Sequence, residues 1–278
     1  MPETFEFGKN WQNYAAAIDE TRIDAAVLAI REKLEVSRLD GLGFVDVGSG
    51  SGLMSLAARR LGARVLSFDV DADSVACTRA LKERFFSDDP DWRVMDGSVL
   101  DPSFLKGVGT FDIVYSWGVL HHTGDMWRAI ENVTQLAKPV ARVFIAIYND
   151  QGRTSRHWLA IKRAYNKLPE SLRWIVLWPC LVRLWGPTIL RDTARGQPLR
   201  SWREYRSLRG MSAWHDVVDW VGGYPFEVAK PEEIFDFFRT RGWTLSALKT
   251  CGGGLGCNEF VFNRSSADAG NPGEVSGT

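Results

Sequence analysis

A glycine turn between an apolar strand and a helix constrains this chain more than any other feature. The apolar run 44–47 leads into Gly48, Gly50 and Gly52, and a segment with helical character, 53–61, follows at once. Glycine tolerates positive φ and has no side chain to hold a ligand away from the backbone. The first turn of a helix also offers unpaired N–H groups. The pattern therefore predicts a nucleotide-binding turn.

The spacing of the glycines indicates which class of nucleotide the turn binds. The dinucleotide pattern G-x-G-x-x-G would place its third glycine at position 53, but Leu53 stands there and the glycine is Gly52. An acidic residue about 20 positions after such a turn commonly holds the ribose hydroxyls. Asp69, at the end of the second apolar run, fills that place. Asp69 could instead cap the next helix, as could Asp71 or Asp73.

Strand and helix signals alternate along most of the chain, which predicts a parallel sheet with helices on both faces. Apolar residues at helical spacing predict a first helix within 12–36. Two strands near the end are joined by a short glycine-rich turn, so we expect them to pair antiparallel. The predicted strands are 43–47, 64–68, 92–95, 111–115, 142–148, 243–249 and 258–263, and the other predicted helices are 52–61, 72–86, 125–137 and 231–241.

Charge and cysteine content narrow the function classes. Lys+Arg and Asp+Glu balance at 34 each, which gives no support for nucleic acid as a partner. The first residues lack the pattern of a secretory signal. The four cysteines match no metal-binding spacing, so we expect reduced thiols, no metal site and a cytoplasmic location.

Two stretches resemble, in order, motifs of the class I S-adenosylmethionine-dependent methyltransferases. VDVGSGSG at 45–52 is similar to the first motif of that family. FDIVYSWGVLHH at 111–122 is similar to the motif after the fourth strand in the small-molecule branch, which includes the ubiquinone- and menaquinone-pathway methyltransferases. The resemblance covers about 40–150 and extends weakly to 231–263. It implies a Rossmann-like, seven-stranded and mostly parallel sheet with an antiparallel last strand, and S-adenosylmethionine as the cofactor.

The resemblance also implies which residues bind the cofactor. Asp46 takes the acidic position near the methionine end, and Gly97-Ser98 stands where the family often has Gly-Asp. That departure puts a carboxylate contact to the adenine amino group in doubt, although Asp96 or Asp101 could compensate. Related enzymes often close the site with an N-terminal lid, here the aromatic residues Phe7, Trp11 and Tyr14. The expected cofactor-binding set is Asp46, Gly48, Ser49, Gly50, Gly52, Asp69, Val70, Gly97, Ser98, Val99, Ser116, Trp117 and Trp11.

Two histidines next to the expected methyl site are candidates for a base in the reaction. A sulfonium methyl group is already activated, so a base is needed only when the acceptor must lose a proton. An imidazole near its ordinary pKa suits that task. His121 and His122 are therefore the candidate catalytic residues, with His122 preferred, and O-methylation is the hypothesis. The alternative is that one of them packs or caps the helix that begins near 123–125.

Residues 151–229 interrupt the alternation of strands and helices. They contain seven of the twelve tryptophans, and Lys+Arg outnumber Asp+Glu thirteen to six. The resemblance implies that an insert here covers the acceptor pocket; a helical cap whose tryptophans only pack is the alternative. The expected acceptor-binding residues are Tyr148, Trp214, His215 and Tyr224. Arginines 200, 203, 206 and 209 could meet an acidic group on the acceptor or form a solvated helix face.

The apolar run 172–185 is a candidate for contact with a membrane. Pro179 breaks the run, and Arg173 and Arg183 lie within it, which argues against a spanning helix. An interfacial helix with Trp and Arg is one interpretation, which would allow peripheral membrane contact and a lipid-linked acceptor. A cap helix packed on the core or on a partner subunit is the other, and the oligomeric state stays open.

These patterns predict four regions. Residues 1–40 form a lid and first helix, 41–150 with 230–264 form the methyltransferase domain, 151–229 form the substrate cap, and 265–278 form a disordered tail. The expected function is methyl transfer to a small molecule or glycan. Competing hypotheses are an RNA, protein or lipid-linked acceptor, a cofactor-binding relative without catalysis, and an NAD-dependent dehydrogenase. The displaced third glycine disfavours the last of these.

Overall fold

One seven-stranded sheet organises the chain in the computed structural model, which describes residues 18–209 and 212–264. The strand order is β3-β2-β1-β4-β5-β7-β6. Strands β1 to β5 pair in parallel, whereas β7 runs antiparallel to both β5 and β6. The strands are β1 (Gly43–Val47), β2 (Arg64–Asp69), β3 (Trp92–Asp96), β4 (Phe111–Trp117), β5 (Ala137–Tyr148), β6 (Thr244–Lys249) and β7 (Cys257–Arg264). The expected α/β fold, Rossmann-like and mostly parallel, is confirmed.

Helices cover both faces of this sheet. They are α1 (Glu20–Leu34), α2 (Leu53–Arg60), α3 (Ala72–Phe86), α4 (Pro102–Val108), α5 (Met126–Gln135), α6 (Arg153–Lys167), α7 (Trp174–Ala194), α8 (Arg200–Arg209), α9 (Ala213–Gly222) and α10 (Pro231–Arg239). Successive strand residues point to opposite faces. In β1, Phe44 therefore packs with α1, α2 and α3, while Val45 and Val47 pack with α4, α5 and α10.

Two elements differ from the sequence expectation in the first half of the chain. Helix α4 was not predicted, although Asp101 caps it and Pro102 opens it, which is a recognised start signal. Strand β5 begins at Ala137 rather than at 142, and α5 ends at Gln135. The additional strand residues pair Ala137 with Phe111 across an irregular stretch of β4.

The expectation that Pro179 breaks the apolar run is wrong. Residues 174–194 form the single helix α7, with Pro179 and Pro187 inside it. A proline lacks the N–H for one helical hydrogen bond and crowds the preceding turn. Tertiary packing outweighs this cost, because Leu177 and Cys180 of the same helix are buried against neighbouring helices.

Four helices, α6 to α9, occupy the stretch between β5 and α10. They share an apolar cluster separate from the two sheet faces, formed by Trp158, Tyr165, Leu177, Cys180, Val217, Val221 and Phe226. Asn149 and Asp150, which follow β5, bond to Gly256 and Ala229 and so fix both ends of this helical region to the sheet. The expected lid residues Phe7, Trp11 and Tyr14 and the expected tail 265–278 lie outside the described residues.

Helix α10 offers a direct test of how the core contributes to stability. Phe238 is fully buried and stacks on Phe262 with ring centroids 3.9 Å apart, whereas Phe235 of the same helix is 38% exposed. We expect Phe238→Ala to lower the free energy of unfolding by about 3–5 kcal/mol. Phe235→Ala should lower it by less than about 1 kcal/mol. Urea denaturation of both variants measures the difference, and equal losses would contradict this packing.

Candidate active site

The glycine turn after β1 has the backbone conformation that only glycine adopts easily. Gly48, Gly50 and Gly52 have φ of 75°, 52° and 79°. A Cβ on Gly48 would lie 2.4 Å from the side chain of Val119, and a Cβ on Gly52 would lie 3.0 Å from the Thr78 backbone. The turn therefore needs glycine both for its conformation and for the close approach of the β4 loop and α3.

Asp69 lies at the carboxyl end of β2 and faces this turn. Its carboxylate accepts hydrogen bonds from the backbone N–H groups of Gly50 and Asp71, both at 3.0 Å. Burial raises the pKa of Asp69. Helix α3 is capped by the side chain of Asp71, which accepts from Ser74, so Asp69 is not the helix cap. The lone pairs that remain on the Asp69 oxygens suit a pair of hydroxyl donors.

A buried polar chain runs beneath the turn to Asp46. Trp92 Nε1 donates to Ser67 Oγ at 2.9 Å, Ser67 donates to Ser55 at 2.7 Å, and Ser55 donates to Asp46 at 2.5 Å. All four side chains are buried. Burial raises the pKa of Asp46 to about 7, against the hydrogen bond from Ser55, which favours the carboxylate. Asp46, below the turn, therefore populates both its charged and its neutral form near neutral pH.

In the loop after β3, the residues expected to bind the cofactor make contacts with other parts of the protein. Gly97 is required by Phe104, whose ring would lie 2.2 Å from a Cβ at this position. Ser98 accepts from the Leu100 N–H through its hydroxyl at 3.1 Å. Val99 has a buried side chain, and its carbonyl accepts from Asn132.

The two carboxylates that could compensate for the missing Gly-Asp pair have other partners. Asp96 forms an exposed ion pair with Arg79 at 2.6 Å. Asp101 accepts from the N–H groups of Ser103 and Phe104 and caps α4. Both carboxylates therefore hold local structure in the fold.

Three residues expected near the cofactor lie at the carboxyl ends of β4 and β2. Ser116 is buried, and its hydroxyl donates to the Val47 carbonyl at 3.1 Å, which ties β4 to β1. Trp117 is 49% exposed, and its indole N–H donates to Glu259 at 3.0 Å. Val70 is exposed directly after β2. Trp117 and Val70 thus present apolar surface at this edge, whereas Ser116 has a structural contact.

The histidine pair lies on a short 3-10 turn, Leu120–His122, after β4. His122 Nδ1 lies 2.6 Å from the Pro225 carbonyl oxygen. Because a carbonyl only accepts, Nδ1 carries the proton and Nε2 is the basic nitrogen of the neutral ring. Burial, reinforced by the charge of Lys162, lowers the pKa of His122 to about 3. The imidazole is therefore neutral at physiological pH.

His121 has a different environment. It is fully buried, and its Nδ1 accepts from the Tyr148 N–H at 3.3 Å, so the proton is on Nε2. That Nε2 has no hydrogen-bond partner within the part of the chain that the structure describes. Burial lowers the pKa of His121 well below its ordinary value. Neither histidine caps α5, because the Glu227 carboxylate accepts the first N–H, that of Met126.

An aromatic wall stands beside the histidines and includes residues that the sequence analysis missed. The Tyr148 ring centroid lies 5.4 Å from those of His122 and Trp220 and 5.3 Å from that of Phe226. The ammonium of Lys162 is fully buried, lies 4.5 Å and 4.8 Å from the Trp220 and Phe226 rings, and donates to the Trp220 carbonyl. Burial lowers the pKa of Lys162 to about 7. We call these five residues, His122, Tyr148, Lys162, Trp220 and Phe226, the aromatic wall.

The position of Lys162 on the inner face of α6 could have been inferred from helical spacing. Trp158, Lys162 and Asn166 recur at intervals of four and face the core of the insert together, as helical spacing requires. A lysine on an apolar helical face was thus visible, but its burial was not. Trp220 and Phe226 belong to the same aromatic stretch, 214–227, as the expected acceptor residues Trp214, His215 and Tyr224.

The other expected acceptor residues lie apart from the wall or at its edge. Trp214 is 37% exposed, with its ring 6.2 Å from that of Trp178, and His215 bonds to Ser212 at the start of α9. Tyr224 is half-buried and precedes Pro225, the partner of His122. The structure therefore groups Tyr148 with His122 but does not bring Trp214 and His215 to them.

Comparison with known proteins bears on the class of this fold and site. Residues 45–143 match the family model described as a methyltransferase domain. The ubiquinone biosynthesis O-methyltransferase of Rhodopseudomonas palustris strain BisA53 is 27% identical over 147 residues, which are 52% of this chain and 53% of that relative. The protein of the same name from Brucella ovis is 30% identical over 111 residues, 40% of this chain and 43% of the relative. The chain thus spans about half the length of the curated relatives it matches.

Solved structures show the same fold. Magnesium protoporphyrin IX methyltransferase from Synechocystis PCC 6803 with bound SAH aligns with a TM-score of 0.50 at 15% identity, over 87% of this chain and 82% of the other. An O-methyltransferase family protein from Burkholderia thailandensis aligns with a TM-score of 0.51 at 13% identity, over 88% and 58%. The fold is therefore that of the class I S-adenosylmethionine-dependent methyltransferases. Residues 45–143 match the methyltransferase-domain family model.

The close approach of Val119 to the turn predicts the effect of a single methyl group. Gly48→Ala should lower the free energy of unfolding by about 2 kcal/mol or more, because the new Cβ clashes and the φ is unfavourable for alanine. Gly107 is the matched control: it lies inside α4, and a Cβ there meets nothing within 4 Å. Gly107→Ala should be neutral or stabilise by up to about 1 kcal/mol. Similar values for the two variants in thermal unfolding would contradict this geometry.

Burial of Asp46 predicts a specific dependence of stability on pH. Its raised pKa means that the folded protein keeps a proton which the unfolded chain loses above about pH 4. Relative to Asp46→Asn, the wild type should therefore lose about 4 kcal/mol of stability between pH 4 and pH 7. Urea denaturation of both proteins across this range measures the difference, and Asp24→Asn on the exposed face of α1 serves as a control. A difference that does not change with pH would refute the buried carboxyl.

Proposed function

We propose that this protein transfers the methyl group of S-adenosylmethionine to a hydroxyl group of a small organic molecule or sugar. One observation carries the proposal. Val119 packs against Gly48 of the glycine turn, and its carbonyl accepts the backbone N–H of His122 at 2.8 Å. A single residue thus joins the cofactor turn to the candidate base. Asp69 lies on the other side of that turn and bonds to Gly50.

The residues of this edge fit the cofactor. The glycine turn leaves the backbone accessible, and the Asp69 carboxylate can accept from both ribose hydroxyls, as acidic residues at this position do. Asp46 lies below the turn, where the sequence resemblance places the methionine end. Ser98 and Val99 are proposed for the adenine side with the exposed ring of Trp117. Trp11 stays a prediction for the lid.

The cofactor supplies an activated methyl group, so the protein has to orient the acceptor and accept its proton. His122 is the candidate acceptor of this proton: its Nε2 is uncharged near neutral pH, but burial and the charge of Lys162, which lower its pKa to about 3, oppose protonation. As the ring gains a proton, the Nδ1–H bond to the Pro225 carbonyl oxygen strengthens and stabilises the new charge. His121 is buried behind it, and its contact with the Tyr148 backbone suits a positioning role.

The aromatic wall supports an acceptor with a ring. Tyr148 and Trp220 are partly exposed beside the buried Phe226, with the three rings within about 6 Å of one another, and phenols and sugars both stack on aromatic surfaces. The relatives that this chain matches are named ubiquinone biosynthesis O-methyltransferases, which favours oxygen as the atom that accepts the methyl group. Tyr224 is proposed at the edge of the aromatic wall, next to Pro225. Trp214 and His215, at the start of α9, stay predictions for acceptor binding.

A cytoplasmic location is part of this proposal. Cys77, Cys180, Cys251 and Cys257 are free thiols, which is the state expected in the cytoplasm. Among residues 18–209 and 212–264, no cluster of three or more His, Cys, Asp or Glu is arranged to bind a metal ion. An RNA, protein or lipid-linked acceptor remains the second candidate, because the insert has an excess of basic residues.

Cofactor binding gives the first test. S-adenosylmethionine and S-adenosylhomocysteine should raise the melting temperature, and NAD should not. Asp69→Asn should weaken S-adenosylhomocysteine binding about tenfold or more, because it removes the charge from the bonds to the ribose hydroxyls. Asp24→Asn should bind like the wild type. Calorimetric titration supplies the affinities, and stabilisation by NAD instead would refute the proposal.

Turnover gives the second test, with a panel of phenols as acceptors and S-adenosylhomocysteine formation as the readout. His122→Ala should reduce kcat about 100-fold or more, with cofactor affinity unchanged. Because the pKa of His122 lies near 3, its protonation should cause no loss of rate between pH 5 and pH 8. His121→Asn should reduce kcat less than His122→Ala. Near-wild-type rates in both variants would exclude a histidine base.

A further inference from the structure

Helix α7 carries a stripe of exposed apolar side chains along one face. Trp174, Trp178 and Val182 follow one another at intervals of four and are 57%, 54% and 66% exposed. Ile175 lies beside them and is 49% exposed, and Leu190, two turns beyond Val182 and farther around the helix axis, is 72% exposed. We call these five residues the α7 stripe. Scattered apolar residues on a surface are ordinary, but two exposed tryptophans one turn apart with further exposed apolar residues on the same helix indicate an interaction site.

The orientation of this helix is fixed by its opposite face. Leu177 and Cys180 are buried in the apolar cluster of the insert. Farther along α7, on the same side of the helix as Trp178, Trp185 packs edge-on against Trp202 and Tyr205, with ring centroids 4.8 Å and 5.1 Å away, and holds α8 beside the C-terminal half of α7. The helix cannot turn its stripe inward without exposing these residues, so the stripe faces outward in the folded protein.

The segment that carries the stripe, α7 with the first half of α8, has an excess of positive charge. Residues 173–205 contain six arginines and two acidic residues. Both acidic side chains are already engaged: Asp192 is buried and accepts from Ser201, and Glu204 pairs with Arg200 at 2.8 Å. The arginines at 183, 191, 195 and 203 are exposed. A partner for this surface must therefore combine apolar material with negative charge.

We propose that the α7 stripe docks the protein onto an anionic lipid surface, with α7 lying in the plane of the interface. Tryptophan side chains favour the boundary between lipid headgroups and acyl chains, and arginines beside them attract anionic headgroups. No helix in the described parts of the chain is long and apolar enough to cross a membrane, so α7 lies on the surface. A second copy of this chain is a poorer partner, because it would place the same positive charge against its own.

Vesicle co-sedimentation of the full chain tests this proposal. Vesicles of phosphatidylcholine with about one third phosphatidylglycerol should pellet the protein, and vesicles of phosphatidylcholine alone should pellet it much less. Raising the salt concentration from about 0.1 M to about 0.5 M should weaken the binding, because the headgroup attraction is screened. The triple variant Trp174→Ser, Trp178→Ser, Val182→Ser should reduce partitioning about tenfold or more.

The matched control removes exposed apolar side chains elsewhere. Leu28 and Val140 are 53% and 59% exposed outside the α7 stripe, so Leu28→Ser with Val140→Ser should bind vesicles like the wild type. Melting temperatures close to that of the wild type establish that the variants are folded. The proposal is independent of methyl transfer, since cofactor binding by the triple variant should be unchanged.

Three outcomes would overturn the lipid assignment. The wild type could fail to pellet with either vesicle, or the triple variant could bind as well as the wild type. The wild type could also form a dimer in sedimentation velocity that the triple variant does not form, with no vesicle binding. In that case the stripe is an interface between copies of this chain.

Discussion

The close packing of Val119 on Gly48 is the contact on which the site depends. Gly48 can accept this neighbour because it has no side chain, and its N–H is held by the Phe68 carbonyl of β2 at 2.9 Å. The β1 turn, the end of β2 and the loop after β4 are thereby fixed to one another. The carbonyl of Val119 then holds His122. Any side chain at position 48 would separate the elements that together form the cofactor edge.

Burial sets the charge state of the groups around this edge. Removing a side chain from water favours its neutral form, so the pKa rises for acids and falls for bases. Asp46 and Lys162 are both brought to about 7 in this way, and His122 is brought to about 3. The protein thereby keeps an uncharged imidazole beside the expected methyl site. Two groups thus titrate near neutrality, Asp46 below the glycine turn and Lys162 within the insert.

The sheet was predictable from the sequence because each strand is a short apolar run bounded by turn residues, and all seven strands were found. The glycine turn and Asp69 were predictable because a fixed spacing joins them. The aromatic wall was not, since His122, Lys162 and Phe226 are far apart in the chain and only the packing of α6 and α9 brings them together. Helix α7 was misjudged for a related reason: local rules stop a helix at Pro179, but the burial of Leu177 and Cys180 continues it.

The insert has two faces with different proposed uses, one toward His122 and one toward solvent. The proposed methyl-transfer site lies between the first face and the edge of the sheet that it meets. The crystal structure of the protein with S-adenosylhomocysteine tests that claim most directly. We expect the ribose hydroxyls about 3 Å from the Asp69 carboxylate and the sulfur on the side of the site that His122 occupies. A ligand bound elsewhere, or a ribose without contact to Asp69, would contradict it.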